Sequence, residues 1–178
     1  GDSLFFRAMK EYATDTTNFK HKTAATADVV TKMSQVTGQD LNWFFNQWVY
    51  SPNHPLYSNT FNFNSLGGGN WMVAFRARQT QTNTVHFKMP IELRISFSGG
   101  GDTLVRVMND VNNQEFAFRF ARQPSGVTFD PNNNTVLKTA TTTVGATVNS
   151  PVLSLPLSGS TNQPRMITLR WNVAPSAL

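Results

Sequence analysis

A chain of 178 residues has room for one ordinary domain, or for part of one joined to a small second unit. Its apolar fraction of 39% is low for a globular protein, and its 14 Phe and 4 Trp supply the buried area that fraction lacks. The absence of Cys excludes disulfides, thiolate catalysis and Cys-ligated zinc.

The formal net charge of +5 does not point to nucleic acid once it is divided along the chain. Residues 1–56 carry five basic and five acidic side chains, residues 57–143 eight and five, and residues 144–178 two and none. Nowhere do three basic residues adjoin, whereas a surface built for phosphates clusters them. No apolar run approaches the length of a membrane span, so none is expected. The opening at Gly1 and Asp2 rather than at Met leads us to expect a preceding segment.

Residues 1–56 read as helical. Asp2 or Ser3 can cap a first helix running to about Thr14, with Leu4, Phe5, Ala8, Met9 and Tyr12 on one stripe. After a polar connector, Thr26 opens a second helix whose Val29, Val30, Met33 and Val36 recur at helical spacing. Gly38 ends it as a left-handed residue past the C-terminus. Asp40 is expected to cap a third helix in which Leu41, Phe44, Phe45 and Trp48 form a core-facing stripe. Asn42, Asn46 and Gln47 fall on its other faces, Trp43 sits off the stripe, and Pro52 and Pro55 stop the helix.

From Tyr57 the period changes from 3.6 to 2. Trp71, Val73, Phe75 and Ala77 alternate with Met72, Ala74, Arg76 and Arg78. In HFKMPIELRISFS, residues Phe87, Met89, Ile91, Leu93, Ile95 and Phe97 face one way. Pro90 cannot donate to a ladder, which implies an edge or a bulge at that level. TLVRVMN and EFAFRFAR continue the pattern, the latter with Phe116, Phe118 and Phe120 inward. Turn clusters such as LGGGN, SGGGD and DPNNN separate the runs. About seven such strands describe a β-sandwich over residues 57–143, immunoglobulin-like and antiparallel. The fold class expected is therefore α+β. Residues 144–178 are rich in Pro and Ser, with two possible strands around Val152–Leu157 and Met166–Trp171 that cannot bury a core alone.

No catalytic, cofactor-binding or metal-ligating residue is assigned. The H-E-x-x-H pair of a zinc hydrolase needs two His one helical turn apart, whereas His21, His54 and His86 are more than thirty residues apart. G-x-S-x-G is missing, and the Gly-rich stretches lack the strand-to-helix setting of a phosphate loop. DVNNQE and DPNNN offer oxygen ligands without the repeating loop of an EF-hand.

The segment order, and above all TGQDLNWFFNQWVYSPNHPLY, resembles the end of the catalytic domain and the following β-domain of the M1 (gluzincin, aminopeptidase N-like) zinc metallopeptidases. In that family the stretch reads like G-x-D-L-x-x-F-F-x-Q-W-x-x-x-x-G-x-P. Gly38, Asp40, Leu41, Phe44, Phe45, Gln47, Trp48 and Pro55 match it. Asn53 stands where Gly is common and Val29 where Phe is common; Asn also tolerates a left-handed backbone, so the turn can survive. The resemblance implies that zinc, the general base and the stabilising Tyr belong to an upstream catalytic domain of the same polypeptide. Peptide substrate would be met only through that parent protein. The tail, SLPLSGSTNQPRMITLRWNVAPSA, is similar to the first strands of a fibronectin type III-like module, an association with secreted or cell-surface bacterial proteins.

Two readings follow. In one, the chain is a non-catalytic C-terminal part of an aminopeptidase-like protein, and its exposed helical face self-associates when the partner domain is missing. In the other it is a stand-alone carbohydrate- or protein-binding (adhesion) module, with Trp43, Trp71, Arg76, Arg78 and Arg94 as candidate contacts.

Overall fold

The computed structural model describes residues 2–137, 139–145, 152–155 and 170–172. The first helix, α1, spans Asp2–Thr14, and α2 spans Thr26–Thr37. Ala25 precedes α2 and offers no side-chain cap, so Asp28 reaches back instead and accepts the Ala25 N–H at 2.8 Å. Gly38 closes α2 at φ 68°, its N–H donating to the Ser34 carbonyl at 2.9 Å, as its position past the helix end requires. The inward stripe of α2 holds, with Val30 and Met33 buried. The stripe of α1 holds only in part: Ala8 is buried and Leu4 and Tyr12 are half-buried, while Phe5 and Met9 are exposed.

The third helix departs from expectation in three ways. It is α-helical only over Asn42–Phe45 (α3) and continues as a wider π-helical turn over Asn46–Tyr50. Leu41, not Asp40, is the capping position; the Asp40 carboxylate accepts the Asn42 N–H at 2.9 Å from one residue further out. The buried side chain is Gln47, and Phe44, expected inside, is exposed. Asn53 takes φ 73° and its side-chain amide donates to the Thr82 carbonyl at 3.2 Å, so the turn that Gly commonly serves is kept by Asn. Pro55 is buried beyond it.

Seven strands follow: β1 (Leu56–Gly67), β2 (Asn70–Ala77), β3 (Met89–Phe97), β4 (Asp102–Asn109), β5 (Gln114–Phe120), β6 (Pro124–Phe129) and β7 (Thr139–Val144). They form two sheets, ordered β5-β2-β1-β7 and β4-β3-β6. The facing surfaces meet in one core. Phe97 of β3 packs edge-on against Phe120 of β5 at 5.2 Å, and Tyr57 of β1 lies 4.8 Å from Phe129 of β6. The molecule is α+β with a sandwich-like β-part.

The alternation read in the sequence is realised along β3, where Met89, Ile91, Leu93, Ile95 and Phe97 are all buried. Pro90 is tolerated for a local reason. The β3–β6 ladder begins only at Leu93, so β3 at Pro90 pairs with Met108 of β4 and has no ladder neighbour on its other side. The sandwich is not wholly antiparallel. β7 runs parallel to β1, from Leu56 against Thr139 to Phe61 against Val144. Parallel neighbours cannot be joined by a hairpin, and here the rest of the sandwich serves as the crossover.

In the tail, β8 (Val152–Leu155) and β9 (Arg170–Asn172) pair antiparallel. The rest of the segment likened to a fibronectin type III module lies outside the described residues.

Candidate functional site

The junction between the third helix and the sandwich is built around two consecutive residues, Phe87 and Lys88, that precede β3. In extended chain their backbone groups point to opposite sides, and neither residue belongs to a strand ladder. Each N–H and C=O therefore needs another partner. The amide of Gln79 takes Phe87: its Nε2 donates to the Phe87 carbonyl at 2.7 Å and its Oε1 accepts the Phe87 N–H at 2.8 Å. The amide of Gln47 takes Lys88 in the same way, Nε2 donating to the carbonyl at 2.8 Å and Oε1 accepting the N–H at 2.6 Å. Two glutamine side chains thus stand where neighbouring strands would be.

Gln79 also donates to the Tyr57 hydroxyl at 2.7 Å, and that hydroxyl donates to Asn109 Oδ1 at 3.0 Å. Burial pushes the Tyr57 phenol up to about 12, against the lowering effect of the Gln79 bond. Trp48 completes the joint from the helix side by packing on Phe87 at 5.0 Å. Gln47, which period alone places on a polar face, is the residue that fastens the helix to the sandwich.

Beside this joint a cleft opens. Its apolar end, a hollow of about 380 Å³, is lined by Trp43, Phe44, Trp48, Pro90 and Val136, with Lys88 at the rim. Trp43 and Phe44 meet edge-on at 5.9 Å, and Lys88 Nζ lies 5.3 Å from the centre of a Trp43 ring. The same ammonium pairs with Asp110 at 3.1 Å. A second hollow of about 340 Å³ shares Pro90, Asn134 and Thr135 with the first and is lined further by Asp2, Glu92 and Arg106. Glu92 and Arg106 are directly opposed across β3 and β4. The amides of Asn132 and Asn134 both donate to Glu92 Oε2, at 3.3 and 3.2 Å. The third helix is therefore not simply a buried seam: it shows part of its aromatic surface to an open cleft.

The other sequence-level candidates do not gather there. Trp71 is half-buried and follows the inward parity of β2, opposite Phe120 of β5, at the far end of the strand from Gln79. Arg76 pairs with Glu115 on the outer face of one sheet, and Arg94 with Asp102 at 3.5 Å on the outer face of the other. Arg78 is exposed. Only Trp43 of the five lies in the cleft. Period and composition held no signal for the polar end, because its residues come from a helix start, two strands and a loop.

The residues present do not fit a zinc centre. His21 and His54 are exposed, and His86 Nε2 lies 3.3 Å from the Asn109 carbonyl oxygen. Burial holds His86 below its ordinary pKa, opposed by that carbonyl and by the charge of Asp110. Among the described residues no three His, Cys, Asp or Glu converge. In DPNNN the Asp130 carboxylate turns inward and accepts the N–H groups of Asn134 and Thr135, at 2.8 and 3.1 Å. Among the described residues no helix is long and apolar enough to cross a membrane.

No family model and no curated protein matches the chain. Among solved structures it is similar to aminopeptidase A of Legionella pneumophila in complex with aspartic acid, at 18% identity and a TM-score of 0.49. That likeness covers 71% of this chain and 14% of the other.

Proposed function

We propose that this chain is a non-catalytic C-terminal part of an M1 aminopeptidase-like zinc metallopeptidase, with the helices completing the peptidase domain and the sandwich bracing them. The observation that carries the reading is the pair of hydrogen bonds between the Gln47 amide and the Lys88 backbone. Gln47 belongs to the F-F-x-Q-W stretch on which the resemblance rests, and its amide makes the end of a helical region rigid with the sandwich. A brace needs such a joint, while a loosely tethered module does not. The uncovered Phe5, Phe6, Met9, Val49 and Tyr50 support a missing helical neighbour, since a finished helical unit turns residues of this kind inward.

On this reading the partner is the upstream catalytic domain of the same polypeptide, zinc and peptide substrate belong to that domain, and the parent is secreted or held at a bacterial cell surface. The β-part is immunoglobulin-like in the broad sense of two packed sheets of four and three strands. Its fourth strand pairs with the third and its last with the first, a different division from the constant-type immunoglobulin domain.

Two measurements test this. The coding region upstream of Gly1 is expected to hold H-E-x-x-H on a helix, and a parent lacking it would overturn the assignment to an active peptidase. The purified chain is expected to bind no stoichiometric zinc and to leave a fluorogenic aminoacyl-amide intact. Chelator-sensitive turnover by this chain alone would mean that residues described above as structural form a catalytic centre.

A further inference from the structure

We propose that the free edge of β5 pairs antiparallel with the same edge of a second copy of this chain, joining two sandwiches through one continuous sheet. The two flanks of the sandwich differ. On one, β6 and β7 end their sheets and meet each other. On the other, β5 ends its sheet with β2 as its one ladder partner among the described residues. A free edge presents unpaired N–H and C=O groups, and proteins usually blunt it with Pro, a bulge or an inward charge. β5 has none of these. Its ladder to β2 runs unbroken from Gln114 to Phe120, and its inward residues are Gln114, Phe116, Phe118 and Phe120. By contrast, β6 opens with Pro124, contains Gly126, and shifts its ladder to β3 between Ser96 and Phe97.

The sequence of β5 is complementary to itself. With a two-fold axis at Ala117, Glu115 of each copy stands opposite Arg119 of the other on the outer face. On the inner face Phe116 stands opposite Phe118 of the second copy, and the whole strand from Gln114 to Phe120 is paired. An axis at Glu115 or at Arg119 would oppose like charges, and one at Phe116 or Phe118 would leave both charges unmatched. Arg119 is exposed and forms no ion pair among the described residues. Glu115 holds Arg76 on its β2 side and, with its side chain 67% exposed, has room for a second guanidinium. β4 is less suited: the register that sets its Asp102 opposite Arg106 leaves Val107, Met108 and Asn109 without a strand partner.

The same register continues the core. Its inner rows run from Phe75 and Phe116 to Phe118 and Val73 of the second copy. Phe116, Phe118 and Phe120 are only half-buried in the single chain, at the edge where the sheet stops. A second β5 covers their open side and adds apolar burial to the ladder hydrogen bonds. The contact is one strand wide, so the dimer is weak and reversible.

The test uses the full 178-residue chain carrying Phe5→Ser and Phe6→Ser, so that association through α1 does not contribute. Sedimentation is expected to show a monomer–dimer equilibrium. Arg119→Glu, an exposed substitution that leaves folding intact, should weaken the dimer about tenfold, because both symmetry-related pairs become repulsive. Mixing it with Glu115→Arg should restore association, since each chain then meets only opposite charges. The chain has no Cys, so single cysteines report the register. Residues directly opposed in an antiparallel ladder have Cα atoms about 4.5–5.5 Å apart, within reach of a disulfide. Ala117→Cys should therefore cross-link two copies under mild oxidation, and Val85→Cys, 60% exposed but off the edge, should not. A chain that stays monomeric at millimolar concentration would overturn the proposal. So would a dimer that Ala117→Cys does not cross-link, or one indifferent to Arg119→Glu. None of these outcomes bears on the upstream zinc motif.

Discussion

Strand β3 and helix α1 are both rich in large apolar residues, and the protein treats them in opposite ways. Ile91, Leu93 and Ile95 are 0% exposed, while Phe5 and Phe6 are 54% and 66% exposed. The strand is covered by a facing sheet that this same chain supplies. The helix packs on α2 and leaves its remaining aromatic surface open. Burial of apolar area is the main favourable term in folding, at roughly 25 cal/mol per Å². The sandwich thus completes its core within this chain, whereas the third helix is fastened to it through Gln47 and α1 keeps an open apolar face.

The largest effect should come from the covered side. Leu93→Ala removes a fully buried side chain at the centre of β3 and should cost about 2–5 kcal/mol in denaturant unfolding. A loss below about 1 kcal/mol would mean that the two sheets are not a well-packed core.

Next is the joint. Gln47→Ala leaves the Lys88 N–H and C=O without their amide partner and should cost about 2 kcal/mol. The loss should appear as earlier hydrogen exchange in residues 42–50 while the amides of β3 and β2 stay protected. Equal loosening of both regions would mean that the joint and the sandwich open as one unit.

Acid and alkali should separate the regions again. In the α1–α2 connector, hydrogen bonds from Asn18, first its side chain and then its backbone, hold the Asp15 carboxyl down at about 2, with Lys32 adding to the effect. A depressed carboxylate stabilises the fold above its ordinary value of 3.8, and that contribution is lost as pH falls through about 2. Tyr57 has the opposite sign. Its raised pKa leaves stability intact below 10, and the contribution is lost as pH rises through about 12. Helical signal should therefore weaken at the acid end, and the tertiary signal of the sandwich at the alkaline end. Loss of both together at either extreme would count against the division.

The smallest effect on stability belongs to the open face. Phe5→Ser and Phe6→Ser should each change unfolding by less than about 0.5 kcal/mol, as surface substitutions do. Together they should shift the chain toward monomer in sedimentation, because uncovered apolar patches drive association. A double variant that unfolds readily would place these rings in a core.

Much of the molecule was legible because its signals are local. Gly38 had to be left-handed past a helix end, Asn53 could replace Gly in a left-handed turn, and the alternation from Phe87 to Phe97 fixed which face of β3 is buried. Helix phase was less reliable in the third helix, where the π-helical turn over Asn46–Tyr50 shifts the 3.6-residue period. The period placed Phe44 inside and Gln47 outside, and the molecule does the reverse. What the chain alone determined is the kind of each element and, in the strands, its inward face, since these follow from backbone sterics and from side-chain period over a few residues. Tertiary structure alone decided the parallel seat of β7, the two glutamines that serve Phe87 and Lys88, and the cleft between them and the DPNNN loop. Those depend on which buried backbone groups remain unpaired once the sheets are assembled, and such a deficit is met by residues forty positions away as readily as by a neighbour.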